Sequence, residues 1–391
     1  MIVEKIFKGI GIIVDDEIDV EKSIIQNIIE QIREKEIPYI PYKSLPSDGV
    51  IDHFRNISFI LLDWRLSPIP DTKLPQGLNE LLIKENISFL KKIKKSCFCP
   101  IFIFSNEDHE QIITRLVTEG LIKDNDNNHI FVRSKSELKG KTKLFKALEN
   151  WIKNNPSVYV LKEWEREYFD AKNKLFSEFH EMNPNWPKIL WKTFISDHSN
   201  ESMELGELIS RNIHTRMTPF EFSGKILNKK GKKSNQSEIL KVIEGGRYLK
   251  NEFLNSNDIA PGDIFYFNSE YYINIRAACD CIPDRNKPEE KIDDVQLYLL
   301  RGGKIGNQRM KKDFLKKFGH FSELDSQFIA YPIYENKGID FRFKRLYQME
   351  WKVIKEKRLG RLLPPYINKL QQKYSSYLQR QGLPRLPNLR F

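Results

Sequence analysis

The sequence has few cysteines and no long apolar run, and both absences narrow the class of protein. Only four thiols occur in 391 residues, far fewer than a disulfide-stabilised fold needs, which favours a reducing compartment. No stretch approaches the roughly 18 consecutive apolar residues of a membrane-spanning helix. The segment Met1–Lys5 carries an acid and lacks the apolar run of a signal peptide. We therefore expect a cytoplasmic protein that makes no membrane contact.

The cysteines form two Cys-x-Cys pairs. They are Cys97 with Cys99 and Cys279 with Cys281. Four thiolates could together bind one Zn²⁺ ion. This spacing is less diagnostic than Cys-x-x-Cys, however, and the first pair leads directly into an apolar strand, so ordinary buried thiols are the favoured interpretation.

Positive charge is concentrated towards the C-terminus. The whole chain has a formal net charge of +11. Residues 341–391 contain 13 lysines and arginines and two acids, so this segment alone has a net charge of +11. Such asymmetry is typical of a surface that binds an acidic partner, including nucleic acid. A solvated basic tail would explain it equally well.

The first 155 residues alternate between apolar runs and amphipathic stretches. The apolar runs that predict strands are 9–14, 37–42, 57–62, 100–104 and 130–132. The stretches with helical spacing are 18–33, 87–95, 107–120 and 144–153. Alternating strands and helices predict a parallel sheet that is covered by helices on both faces. We expect a doubly wound, five-stranded domain over residues 1–155.

The rest of the chain changes character twice. At about 100–200 residues per domain, the length allows two or three domains. Residues 156–255 are aromatic and helical in pattern and contain a basic loop, which predicts a helical connector. The lysines of that loop, candidates for nucleic-acid or partner contact, are Lys229, Lys230, Lys232 and Lys233. Residues 256–391 contain short aromatic strands separated by turns, which predict a small β-barrel, with a helical basic tail from Leu359 onward.

Polar side chains follow the predicted strands of the first domain. Asp15 and Asp16 follow the first strand, Asp63 follows a central strand, Ser105 follows the next, and Lys135 comes shortly after the last. In parallel sheets, functional groups lie beyond the carboxyl ends of the strands. Clustered carboxylates are suitable ligands for Mg²⁺, and a free carboxylate can act as a nucleophile towards a phosphoryl donor. A hydroxyl and a lysine can then bind the transferred group.

These motifs resemble the receiver domains of two-component response regulators. Ile12–Glu17 resembles the acidic end of the first strand in these domains, and Ile60–Asp63 resembles the strand that ends in the phosphoacceptor. Ile103–Ser105 resembles the strand that ends in the switch hydroxyl, and Lys135 resembles the invariant lysine of the family. The resemblance covers about 155 residues. It implies the doubly wound receiver fold and a place in two-component signalling or a phosphorelay.

The resemblance also implies a role for each site residue. Asp15, Asp16 and Asp63 would bind Mg²⁺, Asp63 would accept the phosphoryl group, Ser105 would be the switch hydroxyl, and Lys135 would pair with the phosphoryl group. The sequence departs from the family pattern at Ser136, where the family usually has proline, and at an apparent insertion over residues 71–80. A receiver that only docks a partner therefore remains an alternative.

The C-terminal part resembles a small-barrel module of uncharacterised bacterial proteins, some of which also carry divergent receivers. The similar motifs are Pro261–Phe265, Ile273–Ile275, Ala278–Asp280 and Gly360–Ile367. Such proteins tend to accompany GHKL-type ATPases in phage-defence gene sets. The resemblance implies a histidine-kinase-like or GHKL-type ATPase as partner and a role in antiviral defence.

Three functions remain in view. The favoured one is a regulatory protein whose receiver controls a C-terminal effector module. The second is a basic nucleic-acid-binding protein with an unphosphorylated receiver, although no helix-turn-helix or zinc finger is legible. The third is a nuclease-like effector using Cys279 and Asp280, which we disfavour because no histidine is nearby in sequence to activate the thiol.

Overall fold

The protein is described here by a computed structural model, which divides the chain into two compact units, Met1–Lys230 and Gly231–Phe391. The structure describes residues 7–54, 56–66, 76–123, 128–140, 142–196, 201–217, 221–229, 235–284, 287, 289–306, 325–331 and 338–380. Within these ranges, no helix has the length and apolar character required to cross a membrane. The three-domain division predicted from composition stays a prediction.

The first unit contains a five-stranded parallel sheet. Its strands are β1 (Ile10–Val14), β2 (Tyr39–Tyr42), β3 (Ile57–Leu62), β4 (Ile101–Ser105) and β5 (Ile130–Ser134). They lie in the order β2-β1-β3-β4-β5, and every pairing is parallel. This order is the flavodoxin-like one, in which the strand order reverses between β1 and β3. The predicted parallel sheet is confirmed, and its topology is receiver-like in general form.

Helices cover both faces of this sheet. They are α1 (Ile24–Arg33), α2 (Asp48–Ile51), α3 (Gln76–Ser96), α4 (His109–Thr118) and α5 (Lys143–Lys153). Successive strand residues point to opposite faces, so Ile13 and Phe102 pack with α1 and α5, whereas Ile12 and Ile103 pack with α3 and α4. Helix α3 is much longer than the predicted 87–95, and it takes up part of the apparent insertion.

A group of helices follows the sheet within the same unit. They are α6 (Pro156–Met182), α7 (Trp186–Ser196), α8 (Glu201–Arg216) and α9 (Gly224–Leu227). Proline at the first position of α6 suits a helix start, because its missing N–H is unpaired there in any case. Tyr159 anchors the start of α6 in the core of the sheet domain. Further along, Leu175 of α6 packs against Ile213 of α8.

The second unit is built on a curled, seven-stranded antiparallel sheet. Its strands are β6 (Tyr248–Lys250), β7 (Asp263–Phe267), β8 (Glu270–Asn274), β9 (Gln296–Lys304), β10 (Gln327–Ala330), β11 (Ile339–Glu350) and β12 (Arg358–Leu362). The order is β10-β11-β9-β8-β7-β12-β6. The α-helices among the described residues of this unit are α10 (Gln236–Gly245), α11 (Trp351–Ile354) and α12 (Tyr366–Leu378). The sheet forms a half-barrel, which agrees with the predicted barrel in general form.

The basic C-terminal segment is only partly helical. Helix α12 is where the sequence predicts it, but the residues before it form β12, which pairs with both β6 and β7. A two-residue alternation explains the strand, because Arg358, Gly360 and Leu362 are buried while the residues between them are partly exposed.

A buried ion pair connects β7 to β12. The carboxylate of Asp263 is fully buried; its Oδ1 accepts a hydrogen bond from Nε of Arg361 at 2.6 Å, and its Oδ2 lies 3.6 Å from Nη1 of Arg358. Burial raises the pKa of Asp263, and its hydrogen bonds from Arg361 oppose that rise. Beside it, Gly262 has a φ of +91°, and a Cβ there would lie 2.2 Å from the carbonyl oxygen of Leu362.

Gly262→Ala is therefore expected to weaken the pairing of β7 with β12 in the second unit. The strain of an alanine in a left-handed backbone conformation and the clash of its Cβ with a backbone oxygen should together lower the free energy of unfolding of the second unit by about 3 kcal/mol. Hydrogen–deuterium exchange of β7 and β12 peptides measures the loss of protection. Gly303→Ala is the matched control, because a Cβ at Gly303 would meet nothing within 4 Å. Equal protection in both variants would contradict this account of the β7–β12 pairing.

Candidate functional site

Two acidic residues emerge side by side from the centre of the parallel sheet. Val14 and Leu62 are register partners in β1 and β3, so the residues that follow them, Asp15 and Asp63, leave neighbouring strands at the same level. The amide of Asp63 donates to the carbonyl of Val14 at 2.8 Å, which continues the β-ladder to this point. Both carboxylates are buried, with Asp15 at 0% and Asp63 at 6% exposure.

A lysine joins the two carboxylates. Lys135 begins a short 3₁₀ turn directly after β5 and is 2% exposed. Its Nζ lies 2.5 Å from Oδ2 of Asp63 and 2.8 Å from Oδ2 of Asp15. A four-carbon side chain is long enough to bring this charge from β5 to the acids beyond β1 and β3. The structure thus brings together three residues that are distant in sequence.

Backbone amides hold the other carboxylate oxygens. Oδ1 of Asp15 accepts a hydrogen bond from the amide of Glu17 at 3.0 Å, and Oδ1 of Asp63 accepts one from the amide of Arg65 at 3.2 Å. Each acid therefore makes a short turn with the backbone two residues later. One oxygen of each carboxylate is fixed in this way, and the other is directed to Lys135.

The third acid completes an oxygen-rich cluster. Asp16 is half-buried, and the candidate ligand atoms of Asp15, Asp16 and Asp63 all lie within 4.8 Å of one another. Hard oxygen donors in a small cluster, with room for water on the half-exposed side, are a donor set that Mg²⁺ accepts. The three residues therefore fit the cation that the sequence predicts.

The electrostatics of the cluster favour an added cation. The pKa of Asp63 is raised to about 7, mainly by burial; Lys135 opposes this rise, and the nearby Asp15 adds to it. Burial alone would lower the pKa of Lys135, but the carboxylates of Asp63 and Asp15 raise it above its ordinary value, so the ammonium stays charged. One cation among three acids leaves excess negative charge, which a divalent ion would neutralise.

Ser105 occupies the end of the intervening strand. It closes β4, which lies between β3 and β5 in the sheet. Its side chain is 1% exposed, and its Oγ accepts a hydrogen bond from the amide of Glu107 at 3.2 Å. Because the oxygen of Ser105 is the acceptor in this hydrogen bond, its hydroxyl hydrogen can still be donated to another group. Ser105 therefore lies on the same edge of the sheet as the acids and the lysine.

One residue of this region is not predicted from the sequence. Asn86 of α3 is 1% exposed, and its Nδ2 donates to the carbonyl oxygens of Trp64 at 2.6 Å and Asp63 at 3.4 Å. It fixes the chain directly after Asp63. A single polar residue on the apolar face of a helix, beside Ile87 and Leu90, is the signal that could have identified it.

The other predicted site residues that the structure describes have different surroundings. Lys229 is exposed, and its Nζ donates to the side chain of Asn154. Lys230, Lys232 and Lys233 lie outside the described residues. Cys279 is exposed, with its Sγ 3.6 Å from Oδ1 of Asp280. Cys281 is buried, and burial raises the pKa of its thiol to about 11.

Comparison with known proteins identifies no relative of this chain. No family model matches the chain, and no curated protein matches it. The fold and the cluster are therefore interpreted from their own geometry.

Lys135→Met is expected to destabilise the first unit strongly. The methionine keeps the length of the side chain but leaves two buried carboxylates without their counter-charge, at a cost of about 3–5 kcal/mol. Asp63→Asn should instead raise the free energy of unfolding measured without divalent cations, because it removes one of the like charges. Urea denaturation measures both changes, with the exposed Lys139→Met as control. A Lys135→Met variant as stable as that control would refute the electrostatic account.

Proposed function

We propose that the first unit is a receiver that accepts a phosphoryl group on Asp63 in a Mg²⁺-dependent reaction and thereby regulates the second unit. The observation that carries the proposal is the pairing of one ammonium with two buried carboxylates, at 2.5 and 2.8 Å, on the edge where β1 and β3 end. Buried charges destabilise a fold unless they are closely paired, and a single ammonium does not balance the three carboxylates of this cluster.

Each side chain has a defined task in the proposed transfer. A carboxylate oxygen of Asp63 attacks the phosphorus of the donor, and the bond from phosphorus to the donor's leaving group breaks. Lys135, already beside Asp63, pairs with the oxygens of the transferred group. The hydroxyl of Ser105 donates to one of those oxygens. Mg²⁺ held by Asp15, Asp16 and Asp63 would neutralise charge that develops on the phosphoryl oxygens and would favour ionised Asp63.

The proposed donor is a histidine-kinase-like or GHKL-type ATPase. This part rests on the resemblance of the motifs around Asp15 and Asp63, and the proposed role in phage defence rests on the resemblance of the second unit. Next to the acids, a pocket of about 290 Å³ is lined by Asp16, Lys43 and Asn86, among other residues. A small phosphodonor or the phosphorylated side chain of a partner could approach Asp63 from this side.

Incubation with acetyl phosphate and Mg²⁺ tests the transfer directly. We expect intact-mass measurement to show one added phosphoryl group, and we expect the group to be absent when Mg²⁺ is chelated. Asp63→Asn should abolish the increment, since the amide is not a nucleophile. Ser105→Ala should slow the reaction but not abolish it, because removing one hydrogen bond to developing charge costs roughly 1–3 kcal/mol.

A phosphoryl group that is still added to the Asp63→Asn variant would show that another residue accepts it. No increment in the wild type, with either acetyl phosphate or a phosphorylated histidine kinase, would reject phosphotransfer. A pull-down of the ATPase that is insensitive to Asp63→Asn would then support the alternative of a docking receiver.

A basic face of the second unit favours nucleic-acid binding as a second candidate function. A pocket of about 190 Å³ is lined by Arg301, Lys304, Arg342 and Arg345, together with Glu270 and Asp340. Tyr347 lies beside it, 37% exposed, with the guanidinium of Arg301 6.0 Å from its ring centre. Guanidinium groups next to an exposed aromatic ring suit phosphate contact and base stacking. The predicted contacts at Lys230, Lys232, Lys233 and residues 381–391 lie outside the described residues.

The salt dependence of binding to single-stranded DNA tests this second function. We expect the affinity to fall as salt rises. The variant Arg342→Ala/Arg345→Ala should reduce the slope of log K against log salt by about 1.4, which is near 0.7 for each phosphate that the protein no longer neutralises. Lys139→Ala, which removes an exposed charge of the first unit, is the control. A flat salt response in the wild type would exclude a phosphate-dominated interface.

A further inference from the structure

The helix α7 presents apolar side chains to solvent along most of its length. None of its 11 residues is buried. Ile189, Trp191 and Ile195 are 50%, 39% and 50% exposed, whereas the apolar residues of a surface helix usually face the protein core. Single exposed apolar residues need no explanation, but three on one short helix mark a contact surface. The phosphotransfer proposed above uses none of these residues.

The contacts of α7 with the rest of the first unit use its other side. The ring of Trp186 packs edge-on against Phe179 of α6, with 4.9 Å between the ring centres. Leu190, one turn further along the same side, is half-buried. Trp191 and Ile195 are also one turn apart and lie on a different side of the helix. The exposed side, which we call the α7 face, consists of Lys188, Ile189, Trp191, Lys192 and Ile195.

The α7 face carries positive charge, and the next helix begins with negative charge. Lys188 and Lys192 are exposed, and Glu201 and Glu204 lie in the first turn of α8 and are partly exposed. Within the part of the chain that the structure describes, none of these four side chains forms an ion pair. Helices α7 and α8 are in contact and only a few residues apart in sequence, as is typical of antiparallel neighbours. The end of α7 therefore lies close to the acids that begin α8.

This arrangement of charges is complementary to itself. When a second α7 packs antiparallel on the α7 face, the start of each α7 lies beside the end of the other, and therefore near the start of the other α8. Lys188 of each copy then faces Glu201 and Glu204 of the other copy. A two-fold axis makes both contacts at once, as in the isologous dimers that are the commonest oligomers. An anionic lipid surface would attract the lysines and tryptophan but repel the acids beside them, so a second copy fits better.

The size of the α7 face limits the strength of this association. A helix of 11 residues is about 16 Å long and about 10 Å wide, so one side of it offers only a few hundred Å². A stable dimer buries about 800 Å² on each partner. The contact therefore has to extend onto the start of α8, as the charge pairing also requires. We expect a dissociation constant in the micromolar range.

We propose that the α7 face is a homodimer interface, on which α7 of a second copy packs antiparallel while Lys188 of each copy pairs with the acids that begin α8 of the other. Trp191 is near the middle of α7 and hence close to the two-fold axis. Its ring provides the large apolar contact on which such an interface depends. The dimer does not require a phosphoryl group on Asp63, so Asp63→Asn should associate as the wild type does.

Sedimentation velocity of the full chain, from about 1 to 200 µM, measures the association. The mass should rise with concentration towards twice the 46.3 kDa of the chain. Trp191→Glu and Ile195→Glu should each raise the dissociation constant at least about tenfold, because each brings a charge into the centre of the interface. Val242→Glu, at a 78% exposed position on α10, is the control and should change nothing. Circular dichroism shows whether each variant keeps its fold.

An exchange of charges tests the two-fold arrangement. Lys188→Glu and Glu204→Lys should each weaken self-association several-fold, because like charges then meet at both symmetric contacts. A mixture of the two variants should associate more strongly than either does alone, since each lysine again faces a glutamate in the mixed dimer. A fluorescent label on one variant identifies that dimer.

Three results would overturn the proposal. They are a wild type that stays monomeric over the whole concentration range, a dimer that neither Trp191→Glu nor Ile195→Glu weakens, and a mixture of the charge variants no more dimeric than its components. Vesicles of phosphatidylcholine and phosphatidylserine test the lipid alternative. A monomeric wild type that binds them, and loses that binding in Trp191→Glu, would assign α7 to a membrane surface instead.

Discussion

A single buried ammonium group holds the carboxylate edge of the parallel sheet together. Lys135 stands between Asp15 and Asp63, whose carboxylates would otherwise repel each other in a region of low dielectric. The parallel arrangement of β1 and β3 places both acids at the same level, so the repulsion follows from the topology itself. The lysine reduces that repulsion but does not neutralise the cluster, and the remaining negative charge is what the proposed Mg²⁺ ion would neutralise.

The sequence predicts this edge well because its signals are local. The apolar runs that end in Asp15, Asp63 and Ser105 coincide with β1, β3 and β4 almost to the residue. A buried parallel strand must be apolar on both faces, so an acid at its end stands out. The convergence of these acids with Lys135 follows from the common direction of parallel strands.

Other features depend on contacts that a local pattern does not encode. Asn86 acts on the carbonyl groups of a segment 22 and 23 residues away in sequence, and nothing in α3 alone indicates its target. Strand β12 is five residues long and rich in arginine, so its short alternation is hard to distinguish from the start of the helix that follows. Its two arginines, Arg358 and Arg361, both pair with the buried Asp263, which lies almost a hundred residues earlier in the chain.

The long helix α6 extends from the sheet domain to α8 and can convert a small tilt at its start into a larger displacement at its end. Tyr159 holds its first turn in the sheet domain, and Leu175, 16 residues further along, packs it against α8. A helix of 27 residues is about 40 Å long. Tilting it at its base by about 5° would displace its far end by about 3.5 Å. Small rearrangements beneath the sheet would therefore be magnified where α6 ends.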